Sequence, residues 1–245
     1  MFSSKLAAAF FAGVFLLCGC SRQEQQPLNT AIKYAVEGEW SRADKPSEEA
    51  LKRTPDNVNA LILRALVCER LDRYDEAVEN AYKAVSIDSS SFAAVYTLGR
   101  LYAQNSNRTG DAVNLLVKAN RMKSDHADTL ILLCNLQQPG RKSSYLNALG
   151  NLPGYAKDPE LAFEKCLDRA YRGDHKGTAN ILINLFNDNP GKPELTYAIG
   201  GYFYFCDKRR LAVAKAAYRR YVEFPEKLRT PKRTSIAGKR LAGLK

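Results

Sequence analysis

The side chains able to do chemistry in this 245-residue chain are few in kind: two histidines, six cysteines and 26 acidic residues. A metal centre needs imidazole, thiolate or carboxylate ligands at short, recurring spacing. His126 and His175 each fall at a predicted turn or helix end, and neither has a second histidine or an acid at the spacing of a ligand pair. Residues 173–177, Gly-Asp-His-Lys-Gly, lack the spacing of a phosphate-cradling loop, and nothing resembles a nucleophile elbow. The chain is therefore expected to be no enzyme and to use neither cofactor nor metal.

Positive charge is the other chemical resource. Residues 207–245 hold 13 Lys or Arg against 3 acids, a net of +10 out of the whole-chain +11. Such a run is either the solvated outer face of a capping helix or a surface for a polyanion, such as phosphorylated headgroups or an acidic protein. Arg209, Arg210, Arg219 and Arg220 are the candidate residues of the second reading.

What positions these residues is a repeat. The pattern of residues 74–89 recurs 34 residues earlier, where Tyr74, Ala77, Ala84 and Ser89 map onto Trp40, Ala43, Ala50 and Pro55. It recurs later with one extra residue in the turn at 105–110, where the two alanines become Ala112 and Ala119. Small residues at fixed offsets with this period, inside paired helical patterns, are the mark of a helix-turn-helix array. Steps of 34, 34, 35, 32 and 34 residues give a column of Ala31, Ala65, Gly99, Cys134, Cys166 and Gly200, all small. A small side chain at one place on every first helix lets its partner helix approach closely. Three residues further on stand Tyr34, Cys68, Tyr102, Gln137, Arg169 and Phe203, mostly large and apolar, which fill the adjoining groove. Three of the cysteines thus sit in packing columns and are expected as buried thiols, with oxidation after export as the alternative.

These residues resemble the tetratricopeptide repeat (TPR) family. The resemblance is carried by Leu98-Gly99-x-x-Tyr102 with Ala112 and Ala119, by Ala31-x-x-Tyr34 with Ala43, Ala50 and Pro55, and by Ile199-Gly200-x-x-Phe203 with Ala212. It spans residues 28–224 in five to six units and is weakest between 125 and 190. It implies an all-α, right-handed superhelical solenoid of antiparallel helix pairs whose concave face holds peptides or partner proteins. By the same resemblance the ligand face is lined by first-helix residues flanking the small column, of which Tyr96, Arg100, Asn135, Phe163, Tyr197 and Tyr204 are the candidates. The family's Lys/Asn/Arg clamp for a terminal carboxylate is matched only loosely, by Arg100 and Asn135. Aromatic anchors with a few hydrogen-bonding groups suit an amphipathic or extended segment.

The N-terminus lies outside the array. Lys5 precedes an apolar run at residues 6–17, too short for the ~20 residues that span a bilayer as a helix, and it ends in Leu17-Cys18-Gly19-Cys20. That ending resembles the lipobox of bacterial lipoproteins, which implies cleavage before Cys20 and acylation of its thiol and new amine. An ordinary signal peptide or a buried hairpin helix are the alternatives. Ser21 resembles the sorting signal of outer-membrane lipoproteins.

The expected order is a signal peptide at 1–19, a lipidated Cys20 and tether to 27, repeats at 28–137, a hinge or degenerate repeat at 138–158, repeats at 159–228 and a basic tail at 229–245. The expected function is a lipid-anchored scaffold in a cell-envelope assembly or secretion complex, on the outer membrane facing the periplasm. It would bind a protein or peptide partner and no nucleic acid. The alternative is an electrostatic adaptor for an anionic polymer, lipid headgroup or acidic protein. Lipoproteins of this build resemble those that assist pilus, secretin or outer-membrane assembly.

Overall fold

The computed structural model describes residues 26–138 and 140–244, so the segment carrying Cys20 lies outside the described residues. They form two compact units that divide between Leu136 and Gln137. The first holds α1 (Gln26–Val36), α2 (Trp40–Arg53), α3 (Val58–Arg70), α4 (Tyr74–Ile87), α5 (Phe92–Tyr102), α6 (Thr109–Met122) and α7 (Ala127–Leu136). The second holds α8 (Ser143–Gly150), α9 (Pro159–Tyr171), α10 (His175–Asp188), α11 (Pro193–Phe205), α12 (Leu211–Glu223) and α13 (Pro231–Gly243). No strand occurs among the described residues. Residues 229–245, expected as a tail, thus contain a three-turn helix.

Local chemistry sets these boundaries. The Asn57 side chain accepts from the backbone N–H groups of Asn59 and Ala60, Ser91 from that of Ala94, and Asp158 from Glu160 and Leu161 with Pro159 in the first turn. Within pairs, the chain reverses through one left-handed residue, Gly38 (φ 79°), Asp72 (φ 59°) or Gly173 (φ 97°). Each stands seven places after its small-column residue, Ala31, Ala65 or Cys166. The other two reversals use a 3₁₀ turn instead, Ser106–Arg108 and Lys208–Arg210. Those turns lengthen the connection, which corrects the alignment of the last pair. Ala212 is exposed, and Ala214, two residues later, takes the buried place against α11.

The core is distributed along the helix stack. Ala31, Ala65, Ala43, Ala77, Ala112 and Ala119 are fully buried, so neighbouring backbones close on methyl groups. At Gly99 an added Cβ would lie 3.1 Å from both Leu115 Cβ and Leu116 Cγ, and at Gly200 3.1 Å from Tyr218 Cε1. Leucines such as Leu63, Leu101, Leu116 and Leu182 fill the rest, each contributing roughly 1.5–3 kcal/mol by leaving water. The column three residues on is apolar and buried at Cys68, Tyr102 and Phe203. It breaks at Arg169, which is exposed and paired with Asp174.

Two features depart from simple packing. Pro46 suggests a late start or a kink for the second helix of the first pair; α2 does not start late, because it begins at Trp40 and continues through Pro46 to Arg53. Beneath it the nearly buried Arg64 of α3 reaches Asp44 and Ser47 on α2 and Glu76 on α4. In the second unit α8 is only eight residues long, and Asp168 of α9, 1% exposed, holds the chain entering it. Its carboxylate accepts from Gly140 N at 2.7 Å and from the Ser143 hydroxyl, with Arg172 Nε at 3.3 Å. Burial opposes the charge, but those donors and Arg172 outweigh it and hold the carboxyl below its ordinary range.

Candidate functional site

Each first helix of a stacked pair has one side turned to the next pair and one left open. The two columns flanking the small residues divide accordingly. Three places before it, Ile62, Tyr96 and Phe163 are 3%, 9% and 9% exposed, so they pack between successive pairs instead of lining an open groove. Tyr96 stacks on Phe92 at 5.7 Å and meets the His126 ring edge-on at 4.9 Å. Burial pushes its phenol up to about 12. Phe163 lies in a core cluster with Cys166, Leu182 and Phe203.

One place after the small column, Leu66 and Arg100 are half-buried and Asn135 is exposed. These three stand at equivalent positions of α3, α5 and α7, so helix register puts them along one open face of the first unit. Arg100 does not face solvent as a free cation. Its Nη2 donates to Glu69 Oε2 at 2.6 Å and its Nη1 to the other oxygen, while Gln104 Nε2 donates to Glu69 Oε1 at 2.5 Å. Burial opposes both charges, but this pairing outweighs it and holds the Glu69 carboxyl down and the Arg100 guanidinium up. The face is therefore an aliphatic and amide surface with a neutralised ion pair across it.

The second unit places its candidates differently. Tyr197 and Tyr204 on α11 sit beneath α13 in a cluster with Tyr218, Tyr221 and Ala237. They complete the packing of the terminal helix. Of the basic candidates, Arg220 donates to the Phe186 carbonyl at 2.6 Å and lies 3.7 Å over the Phe186 ring, tying α12 to α10. Arg210 Nη1 is 3.2 Å from Asp207 and Arg209 Nε 3.5 Å from it, with the Arg209 side chain 84% exposed. Arg219 is exposed. The four arginines thus comprise one outward cation, Arg219, two that share the nearly buried Asp207 carboxylate, of which Arg209 is still largely exposed, and one interhelical clip, Arg220.

Cys68, Cys134 and Cys166 are buried and Cys206 is exposed, and Cys68, Cys166 and Cys206 are free thiols. Burial pushes the Cys68 thiol up to about 12 and Cys166 to about 11, so neither is a thiolate nucleophile near neutral pH. His126 accepts from Thr129 at the start of α7, and burial lowers its pKa. Among the described residues no group of three or more His, Cys, Asp or Glu could hold a metal ion, and no helix is long and apolar enough to cross a membrane. The second unit has a cleft of about 410 Å³ lined by Ser143, Asn147, Lys165, Asp168 and Arg172. Sequence reasoning missed the Arg64 and Asp168 networks, because a lone charged residue in a helical pattern reads as solvated until its partners on other helices are placed.

No protein-family model matches the chain, and no curated protein is significantly similar to it in sequence. Solved structures do match. A tetratricopeptide repeat protein from Parabacteroides merdae aligns with a TM-score of 0.63 at 14% identity, over 91% of this chain and 94% of that one. YrrB, described as a TPR protein with an unusual peptide-binding site, aligns at 0.61 and 19% identity over 79% and 97%. The pilF protein of Pseudomonas aeruginosa aligns at 0.61 and 16% identity over 88% and 97%. At these identities the likeness is one of fold: helices packed as adjacent pairs in a TPR-type solenoid.

Proposed function

We propose that a chain with this fold works as a protein-docking scaffold held at a bacterial membrane by an acylated Cys20. The observation that carries the docking reading is the open first-helix face of the first unit, where Leu66, Arg100 and Asn135 line up on three successive first helices. Apolar area beside preset amide and ion-pair groups suits an extended or helical segment of a partner, and no turnover is required. Anchoring rests on residues 17–20 alone. Several acyl chains, at about 0.8 kcal/mol per buried methylene, would hold the protein at the lipid surface and raise its local concentration there. An envelope assembly or secretion complex on the periplasmic side of the outer membrane is the setting this anchor and Ser21 favour.

A photo-crosslinking side chain at position 66 or 135 should capture the same single envelope protein, and one at Lys118, exposed on α6, should not. Equal capture from position 118 would remove the open face as the site. For the anchor, Cys20→Ser is expected to shift the protein from the membrane to the soluble fraction; full retention after a high-salt wash would count against lipidation.

The electrostatic alternative keeps support from the outward cations Arg209, Arg219, Lys232 and Lys239. Under that reading capture would be broad, salt-sensitive and lost when Arg209 and Arg219 are neutralised.

A further inference from the structure

The second unit carries a surface built around arginine. On α11, Glu194, Tyr197, Gly201, Tyr204 and Phe205 follow one another at helical spacing on the side that faces α13. The guanidinium of Arg240 from α13 lies among four rings, 4.6 Å from Phe205, 5.3 Å from Tyr204, 5.3 Å from Tyr218 and 5.8 Å from Tyr197. Its Nη1 also donates to the Tyr218 hydroxyl, a phenol with no solvent exposure. Two turns earlier on the same face, Arg233 pairs with Glu194 and lies 5.5 Å over Tyr197. Ala237, between the two arginines, is fully buried. The surface therefore reads arginine, alanine and arginine at i, i+4 and i+7. Aromatic faces favour planar guanidinium over ammonium, and the carboxylate adds a fixed partner at one end.

The helix now on that surface is weakly committed to it. Ala237 is the one residue of α13 that is buried, whereas α12 buries Ala214, Ala217, Tyr218 and Tyr221. Gly238 and Thr234 lower its helix propensity, and Thr230 provides no side-chain cap. Residues 231–243 carry Lys232, Arg233, Lys239 and Arg240 with no acid, and they pack on α12, whose own charges are Lys215, Arg219, Arg220 and Glu223. Like charges on neighbouring helices oppose their docking.

We propose that the surface under α13 is a docking site for an arginine-bearing amphipathic helix of a partner protein, with α13 as its resident and exchangeable occupant. The occupant already present defines the chemistry: two arginines two turns apart flanking a small residue. Displacing α13 would uncover the aromatic box and release a cationic helix at the same time. The inference concerns the second unit alone and stands apart from the open face of the first.

The test uses the full-length chain and a fluorescently labelled peptide of residues 229–245 as the probe. The wild-type chain should bind it weakly, because its own α13 competes. The Arg240→Ala chain, with its own helix loosened, should bind the wild-type peptide at least tenfold more tightly. Peptide carrying Arg240→Ala should not bind, and adding Phe205→Ala to the Arg240→Ala chain should reverse the gain. No gain in the Arg240→Ala chain overturns the proposal. Should that variant not fold, hydrogen exchange of the wild-type chain decides: amides of 234–243 should exchange at least tenfold faster than those of α12, and exchange in step with α12 overturns it. A stable wild-type dimer that trades α13 between copies would assign the surface to a second copy and overturn the partner reading.

Discussion

Gly99→Leu is expected to destabilise the first unit by about 3 kcal/mol or more, among the largest effects available to a single apolar substitution. A Cβ at this position already stands 3.1 Å from Leu115 and Leu116, so the further atoms of a leucine have no space between α5 and α6. Val95, Ala112, Leu116 and Ala119 around it are fully buried, so only the half-buried Leu115 has room to move, and close packing opposes the rest. Gly99→Ala is the control. Its methyl meets the same neighbours, but removing glycine from a helix interior returns roughly 0.5–1 kcal/mol, so its net change should be small. Urea unfolding followed by the fluorescence of Trp40, the sole tryptophan, reports on this unit directly. A Gly99→Leu midpoint equal to that of wild type would mean that α5 and α6 are not in the described contact.

Arg64→Ala is expected to cost about 2–4 kcal/mol, somewhat below the full cost of opening a deeply buried pair because its carboxylate partners are about a third exposed. The guanidinium sits 2.6 Å from Asp44 Oδ1 and 2.5 Å from Glu76 Oε1, and also donates to the Asp44 carbonyl and the Ser47 hydroxyl at 3.1 Å. It thereby joins α2, α3 and α4 through one side chain. Its removal leaves two carboxylates facing a cavity, with Arg73 as their remaining cation.

The effect should depend on pH with a definite sign. Burial opposes the charges on Asp44 and Glu76, but their arginine partners outweigh it and both carboxyls are held below their ordinary values. A carboxyl depressed on folding contributes stability that is fully present above its unfolded pKa, about 4, and lost as pH falls through the folded one. The gap between wild type and Arg64→Ala should therefore be widest above about pH 5 and close as the solution is acidified. Unfolding curves at pH 7 and pH 3 measure it; a gap that widens in acid would contradict the assignment of Arg64 as the partner.

Much of the fold was legible because a solenoid repeats its local physics. Ala43, Ala77 and Ala112 are spaced by the period of the unit, and each pair buries the same faces, so the columns of small residues mark the close approaches in the sequence itself. The same reasoning failed at Ala212, where the connection is longer. A 3₁₀ turn at Lys208–Arg210 replaces the single left-handed residue of other pairs and moves the buried position to Ala214. The candidate site was less legible. A first helix in such a stack has two apolar or half-apolar sides, and composition cannot say which one the next pair covers.

Length, period, the small-residue columns, the lipobox-like residues 17–20 and the concentration of charge after residue 206 are properties of the sequence by itself. The period and the columns determined an all-α array of paired helices, because both depend only on spacing along the chain. Tertiary structure alone decided that Tyr96 and Phe163 are packing residues, that Arg100 is neutralised by Glu69 from the preceding pair, and that Arg220 clips two helices together. It also decided that the basic terminus folds as a helix whose Arg240 lies among four aromatic rings. The reason is physical: an arginine's role is set by which acceptors and rings lie within a few ångströms, and those partners come from residues 22, 31 or 34 positions away on other helices.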